Sequence, residues 1–314
     1  MTSWLARWQA LPGNARGIAY LLLTALLLSL GAYCIRAAGT VLAPYQIILL
    51  RNVFALSATL LFCFPRGRPN AFCTSNLRLQ LLRGALSFLS MSAYYWSYIN
   101  LPLAEATALM FTIPLFLIIL SVAFMGERVG WRRTLATALG FAGVMMILSP
   151  DLGRFEPALL VPLSIGLVDA VITLVIKRLT ATETLRSIMV YMSAVSFVFS
   201  AAAVALGTLV FSDSAFGRLA GWRDPTADDI LLCAALAAFS LAAQLFNVMG
   251  WRAGEPTAIS SAGYAQIVFV AILGAIVFGE VPASAAVAGT AVIVASTVYI
   301  ARREARLARA RTMR

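Results

Sequence analysis

The sequence contains no histidine, a single lysine and few charged residues. Charged side chains make up 12% of the 314 residues, against about 25% in an average soluble protein, which argues against a water-soluble domain. The absence of histidine excludes Ser-His-Asp hydrolases, histidine-ligated zinc centres and His-Glu-x-x-His metalloproteases, since each of these sites needs an imidazole. The single lysine, Lys177, follows no glycine-rich phosphate-binding loop, so the chain lacks the motif of a P-loop ATPase.

The four cysteines do not indicate a disulfide framework or a metal site. They are Cys34, Cys63, Cys73 and Cys233, and no two of them form a Cys-x-x-Cys pair. Neither a disulfide framework nor a metal site is therefore predicted, and the simplest interpretation is that these residues act as small apolar filler. The sequence predicts no cofactor and no bound metal.

Hydrophobic residues, in contrast, form 61% of the chain and occur in long runs. A helix needs roughly 20 apolar residues to cross hydrocarbon about 30 Å thick. Runs of this kind predict an all-α integral membrane protein with ten transmembrane helices. The predicted spans are Gly17–Ile35, Pro44–Phe64, Leu81–Leu101, Ala104–Phe124, Trp131–Ser149, Ala158–Ile176, Ser187–Phe211, Asp229–Met249, Ala258–Phe278 and Ala283–Ala301.

The positions of the positive charges predict which side of the membrane each connection faces. If the N-terminus is cytoplasmic, 19 of the 24 lysines and arginines lie in cytoplasmic segments, and Arg36, Arg154, Arg218 and Arg223 lie outside. This distribution follows the positive-inside rule and predicts that both termini are cytoplasmic, in a multi-pass protein of the inner membrane. The net charge of +11 is thus explained by topology, and no nucleic-acid partner is predicted. The bilayer itself is a partner, and the basic tail 302–314 is suited to contact anionic lipids.

Two halves of the chain resemble each other. Leu103-Ala-Glu-Ala-Thr-Ala and Gly126-Glu127 at the ends of span four have counterparts in Gly254-Glu-Pro-Thr-Ala and Gly279-Glu280 around span nine. Ser29–Arg36 of span one likewise resembles Ala170–Lys177 of span six. Residues 17–149 and 158–301 then form repeats of five helices each. Because five is odd, the repeats cross the membrane in opposite directions, which is a signature of secondary transporters.

These residues resemble a known family. Leu101-Pro-Leu-Ala-Glu-Ala-Thr-Ala, Pro114-Leu-Phe, Gly126-Glu-Arg-Val and Gly140-Phe-Ala-Gly-Val, at this spacing, are similar to the EamA family of the drug/metabolite transporter superfamily. The resemblance covers nearly the whole chain and implies ten helices in two inverted repeats, with a central pathway for small organic solutes. Members of the family carry amino acids, vitamins, S-adenosylmethionine and sugar-related compounds in either direction, so the resemblance implies neither substrate nor direction.

Two charged residues lie deep within predicted spans. Arg51 is about 10 Å from the outer end of span two, and Asp169 is roughly 16 Å from the outer end of span six, near the midplane. A charge inside the membrane usually faces a cavity or a partner. Arg51 is therefore a candidate for binding a carboxylate or phosphate, and Asp169 for binding an amine or carrying a proton. The alternative is that the two side chains pair with each other and only hold the helices together.

Uncharged polar residues recur at helical spacing on several spans, as expected for the lining of a shared cavity. The candidates are Tyr33 in span one, Tyr94 in span three, Gln244 and Asn247 in span eight, and Tyr264 in span nine. Two alternatives stay open. Such residues also form hydrogen bonds between helices, and Tyr94 belongs to an aromatic group that is typical of the membrane interface.

The remaining features concern helix packing. Glu105 is expected to complement the positive N-terminus of the fourth helix. Ala136 with Gly140, and Ala285 with Gly289, are pairs of small residues four apart, which are typical of close helix packing and leave a homodimer open.

The combined pattern predicts a secondary transporter that moves a small organic metabolite by alternating access, with proton coupling through Asp169 as an open question. The solute would be of the amino acid, vitamin, nucleoside or S-adenosylmethionine type. An enzyme is not expected, because an aspartyl protease needs two intramembrane aspartates and Asp169 alone lies deep within a span, while Asp228-Asp229 belongs to a connection. A passive channel or a membrane scaffold is the alternative function, and saturable flux would distinguish the transporter from both.

Overall fold

The computed structural model describes residues 11–63, 74–125, 131–148, 156–179, 183, 185–253 and 260–312. Within these ranges the regular secondary structure is entirely helical, as predicted. The helices are α1 (Gly13–Ala38), α2 (Pro44–Cys63), α3 (Leu77–Asn100), α4 (Leu103–Met110), α5 (Ile113–Met125), α6 (Trp131–Leu148), α7 (Leu160–Leu179), α8 (Leu185–Leu209), α9 (Ala215–Ala220), α10 (Ala227–Ala253), α11 (Ala265–Phe278) and α12 (Ser284–Thr312), with 3₁₀ turns at Pro157–Leu159 and Ser260–Tyr264.

Each predicted span coincides with helical structure, although fewer helices meet a strict criterion for crossing a membrane. In the described part of the chain, six segments are long and apolar enough, and three further apolar helices are shorter. The six are Gly13–Ala38, Pro44–Leu61, Leu103–Leu120, Pro157–Ile176, Val190–Leu209 and Ala227–Gly250. These helices support a multi-pass membrane protein. The arrangement of ten spans in two repeats stays a prediction.

The fourth predicted span is broken in the middle. Helix α4 ends at Met110, and α5 begins at Ile113, so that Pro114 is the second residue of α5. Proline is well tolerated in the first turn of a helix because the missing N–H has no intrahelical partner there. The ninth predicted span is likewise not a uniform α-helix, since a 3₁₀ turn at Ser260–Tyr264 precedes α11.

The ends of the chain differ from the prediction. Helix α12 continues to Thr312 through most of the segment predicted as a basic tail, and α1 begins at Gly13 within the predicted N-terminal tail. The short helix α9, which was not predicted, lies in the long connection after α8. Helix α10 starts after a reciprocal cap, in which Thr226 N and Oγ1 donate to Asp229 Oδ2 and Asp229 N donates to Thr226 Oγ1.

Most of the helix packing joins the first half of the chain to the second. Helix α1 packs along α10, α2 along α8, α3 against α7 and α8, and α6 along α12. The broken span also takes part, because α4 and α5 contact α7, while α11 contacts α1. Tyr94 of α3 and Asp169 of α7, described below, lie at one of these contacts between the two halves.

Glycine permits the closest of these contacts. Gly143 of α6 and Gly289 of α12 face each other so closely that a Cβ added to either would lie within 2.7 Å of the other's carbonyl oxygen. A Cβ at Gly140 would meet the Leu115 side chain at 2.7 Å. The small residues of spans five and ten are thus used for packing inside the chain, and the homodimer stays an untested alternative.

Candidate functional site

The predicted candidate Asp169 accepts two hydrogen bonds from helix α3. Ser90 Oγ donates to Asp169 Oδ1 at 2.6 Å, and the Tyr94 hydroxyl donates to Oδ2 at 3.4 Å. Ser90 and Tyr94 are four residues apart, so they lie on one face of α3 and reach the same carboxylate. We refer to Ser90, Tyr94 and Asp169 as the carboxylate cluster. It joins α3 of the first half to α7 of the second.

The Asp169 carboxylate in the cluster keeps unused capacity to accept hydrogen bonds. A hydrogen bond from a hydroxyl to a charged acceptor is shorter than a neutral one, and 2.6 Å lies in the charge-assisted range. The four lone-pair sites of a carboxylate are only partly used by two donors. Ser90 is buried and Asp169 is half-buried, so the cluster combines a fixed donor with an approachable acceptor. An amine or a proton is the chemistry that such a group takes up. The ring of Tyr98 continues this surface, with 6.1 Å between its centroid and that of Tyr94.

The hydrogen bond of Arg51 is made to a residue other than Asp169. Its NH1 donates to Asn52 Oδ1 at 3.2 Å, and its buried Nε has no hydrogen-bond partner. Asn52 in turn donates to Ser196 Oγ and Ser200 Oγ of α8, at 3.2 and 3.3 Å. The alternative in which Arg51 and Asp169 pair with each other is therefore not observed. Among the side chains that the structure describes, the ion pair observed joins two other residues, Arg36 and Glu280.

The other predicted residues lie in different surroundings. The ring of Tyr33 packs against Phe278 with 6.0 Å between centroids, and that of Tyr264 against Phe111 with 5.2 Å. Tyr264 and Glu105 also line an apolar groove of about 660 Å³ beside α11 and α12. Gln244 is exposed and Asn247 is half-buried on α10. Of the predicted candidates, the structure thus joins Tyr94 and Asp169 by a direct hydrogen bond.

Sequence reasoning missed a second polar centre, which lies at the C-terminal end of α3. Arg36 NH2 lies 2.7 Å from Glu280 Oε1, and Arg36 NH1 donates to the carbonyl oxygen of Leu101 at 2.5 Å. Glu280 Oε2 accepts a hydrogen bond of 2.9 Å from Leu103 N, at the start of α4. The signal available in the sequence was Gly279-Glu280, which was used only as a marker of the internal repeat.

The backbone explains why Glu280 reaches this position. Gly279 adopts a left-handed conformation with φ of 66°, which glycine accommodates without steric cost. Helix α11 ends there, and Glu280 N donates to Gly274 O at 3.0 Å. This turn directs the carboxylate towards the N-terminus of α4, where unpaired N–H groups favour an anion.

Glu105 has the position expected from the sequence and one contact that was not foreseen. It lies in the first turn of α4, where its charge complements the helix dipole. Its carboxylate also lies close enough to the backbone of Ala283, just before α12, to interact with it electrostatically. Glu280 and Glu105 are therefore each placed near the backbone at the start of a helix in the other half.

Comparisons with known proteins show that the chain is similar to transporters. Residues 15–149 match the model of the EamA-like transporter family. The chain is 26% identical over 291 residues to an S-adenosylmethionine uptake transporter of Rickettsia felis, covering 93% of this chain and 94% of that protein. It is 25% identical over 265 residues to a riboflavin transporter of Vibrio cholerae, covering 84% of each chain.

Two further likenesses complete this result. A pseudopaline exporter, CntI, of Pseudomonas aeruginosa is 25% identical over 270 residues, with coverage of 85% of this chain and 89% of that one. A solved crystal structure has a TM-score of 0.59 and 18% identity, over 91% of this chain and 96% of the other, and this likeness concerns the fold alone. The resemblance seen in the sequence is confirmed: the EamA family model matches within the first half of the chain, and relatives that align over most of the chain are named as transporters.

Proposed function

We propose that the chain is a secondary transporter that moves a small organic metabolite across the cytoplasmic membrane by alternating access. The relatives named above carry chemically different solutes, and their names include both uptake and export. This supports a general role in metabolite transport rather than in catalysis. It leaves the solute class open among amino acids, vitamins, nucleosides and compounds such as S-adenosylmethionine.

The packing of the helices supports the two-repeat arrangement. If spans one to five correspond to spans six to ten, the contact between spans one and eight (α1 with α10) should have a counterpart between spans six and three (α7 with α3). Both contacts are present, and the contacts of α4 with α7 and of α11 with α1 form a second such pair. Inverted repeats of this kind hold the substrate at their interface, near the middle of the membrane.

The carboxylate cluster is the observation that carries the proposal. Asp169 lies at the contact between α3 and α7, one helix from each half, and two hydroxyl groups orient its carboxylate. A half-buried acid within an apolar helix is costly unless it has a function or a partner. We therefore assign Asp169 the role of binding an amine or carrying the coupling proton, with Tyr94 beside it.

Arg51 provides the complementary charge. Its guanidinium has an amide as partner and a buried Nε without one, so it retains the capacity to bind a carboxylate or phosphate. A solute that carries both an amino group and a carboxylate, held by Asp169 and Arg51 respectively, is consistent with this pair of charges. Tyr33, Gln244, Asn247 and Tyr264 are proposed as further contacts along the pathway.

Purified protein in proteoliposomes tests the function. Thermal-shift screening first selects a solute, because a ligand at 100 times its dissociation constant stabilises the folded protein by about 2.7 kcal/mol. Uptake of that solute should saturate, and Asp169→Asn should abolish coupled transport or change its pH dependence sharply. Asp213→Asn is the matched control, because Asp213 is exposed in the connection after α8. Wild-type flux and pH response in a folded Asp169→Asn variant would contradict the assigned role.

Arg51→Gln tests the substrate class in the same vesicles. Transport of solutes with a carboxylate or phosphate should weaken, while transport of neutral or purely cationic solutes should be retained. An equal loss for every solute, together with a lower melting temperature, would instead assign Arg51 to structural support.

A further inference from the structure

The ion pair between Arg36 and Glu280 is not part of the carboxylate cluster, and the proposed function does not yet use it. Arg36 lies in the last turn of α1, and Glu280 lies between α11 and α12. Their side chains are 23% and 15% exposed, so the pair is at the edge of the bundle rather than in its core. By the predicted topology this edge is the outer one.

The pair closes the bundle by joining four elements through one contact network. Arg36 NH1 donates to Leu101 O, and more weakly to Tyr98 O at 3.4 Å, which holds the C-terminal end of α3. Glu280 accepts from Leu103 N at the start of α4. The guanidinium also lies 5.0 Å from the centre of the Phe278 ring at the end of α11. We refer to Arg36, Glu280 and the backbone of Leu101 and Leu103 as the outer clasp.

The contacts of the outer clasp can be broken without unfolding a helix. Each polar contact of Arg36 and Glu280 named above joins a side chain to another side chain or to backbone at a helix end. None of them replaces an internal hydrogen bond of a helix. Both side chains are partly exposed, although Glu280 Oε1 itself is buried. Water can therefore reach the charged groups once they separate, and opening costs less than the separation of two fully buried side chains.

The outer clasp is connected to the carboxylate cluster through α3. Leu101 follows Tyr94 by seven residues, which corresponds to roughly 10 Å along a helix. Tyr98, whose carbonyl Arg36 contacts, packs its ring against Tyr94, and Tyr94 donates to Asp169. A displacement of this end of α3 would therefore change the surroundings of Asp169.

We propose that the Arg36–Glu280 pair is the gate at the outer end of the transport pathway and that it separates once in each transport cycle. The gate rests on the proposed function, because alternating access requires each end to close in turn. In that cycle Arg36 and Glu280 close the outer end, and the contacts of their side chains must break for this end to open. Arg36 and Glu280 are gating residues and do not bind the solute.

Reversible cross-linking tests whether the pair must separate. In a chain with Cys63→Ser and Cys73→Ser, Arg36 and Glu280 are both replaced by cysteine and joined by a short bifunctional methanethiosulfonate. The native Cys34 and Cys233 are buried. With S-adenosylmethionine or the solute found by screening, the cross-link should reduce initial transport at least tenfold, and reductant should restore it. The single-cysteine variants are the controls, and full transport by the cross-linked protein would overturn the proposal.

A distance measurement tests the gate without a transport assay and without altering the pair in the reference sample. Spin labels at the exposed positions Thr40 and Val281, with the native cysteines replaced, report the separation of the two sides by electron–electron double resonance. Arg36→Gln with Glu280→Gln should add a population at longer distance. Arg218→Gln with Glu156→Gln, which removes the same charges from exposed positions, should not.

The two proposals fail in different ways. An unchanged distance distribution in the Arg36→Gln, Glu280→Gln protein would refute the gate even if the wild-type protein transports its solute. A second population at longer distance in a protein that shows no saturable flux with any solute would retain the opening movement and refute the proposed transport function.

Discussion

Replacement of Gly143 by alanine tests whether the small residues of α6 and α12 serve to pack these two helices against each other. The new Cβ would lie 2.7 Å from the Gly289 carbonyl oxygen, and 3.1 Å from both Ile293 Cγ1 and Val292 Cβ. Ordinary van der Waals contact begins at 3.4 Å. The two helices must therefore separate by about 0.7 Å at this level, and a gap of 0.5–1 Å forfeits a quarter to a half of the dispersion attraction.

The expected loss of stability follows from two opposing contributions. Overpacking of a close contact costs about 1–3 kcal/mol. Alanine in a helix is more stable than glycine by about 0.5–1 kcal/mol, because glycine loses more backbone entropy on folding. From the middle of these two ranges, we expect Gly143→Ala to destabilise the protein by about 1 kcal/mol. At roughly 2–4 °C per kcal/mol, this lowers the melting temperature by about 2–4 °C.

Thermal unfolding in detergent measures this change, and static light scattering measures the oligomeric mass of the same samples. Gly263→Ala is the matched control, because a Cβ at Gly263 would meet no atom within 4 Å, and its effect should stay within about 0.5 kcal/mol. An unchanged melting temperature in Gly143→Ala would refute the packing argument. If the mass of a wild-type dimer fell at the same time, the glycine pair would instead belong to an interface between two chains.

Two further predictions concern the pH dependence of stability and the orientation of the chain in the membrane. Glu183 accepts hydrogen bonds from Thr74 Oγ1, from Ser75 N and Oγ, and from Asn76 N. Desolvation raises the pKa of this carboxyl group, but the donors outweigh it together and lower the pKa below its ordinary value of 4.5. The stability that these hydrogen bonds contribute is present above pH 4.5 and is lost as the pH falls through the lowered pKa. In Glu183→Gln, the melting temperature should therefore depend less on pH in this acidic range. A pH profile identical to that of the wild-type protein would contradict this. For the topology, a cysteine at Asp213 should react with an impermeant thiol reagent from outside intact cells and one at Arg132 should not; the reverse pattern would invert the orientation.

The carboxylate cluster shows how far the candidate site could be predicted. Asp169 was identifiable because a charge in an apolar run is rare and costly, and Tyr94 because it lies on a polar face of its helix. Ser90 was not among the candidates, since a serine within a span commonly donates to its own helix, as Ser92 does to Phe88 O. That Ser90 and Tyr94 bind Asp169 depends on the packing of α3 against α7, which no local pattern contains.

The repeat was predictable only in part. Gly126-Glu127 and Gly254-Glu255, on which half of the sequence comparison depends, lie outside the described residues. The described counterpart, Gly279-Glu280, does more than end a helix, because its left-handed glycine turns the carboxylate towards Arg36 and Leu103 N. This function of Glu280 could not be inferred from a dipeptide that ends many helices.

The sequence by itself determined that this is a helical membrane protein that resembles the EamA family, because the lengths of the apolar runs, the few charges and the family motifs are local properties of the chain. It also singled out Arg51 and Asp169 as charges deep within spans. Only the tertiary structure decided the partners of two charged residues: Asp169 with two hydroxyl groups of α3, and Arg36 with Glu280. The physical reason is that a partly buried charge is stabilised by whichever groups the packing of distant helices brings within hydrogen-bond distance, and that packing joins residues more than 70 positions apart.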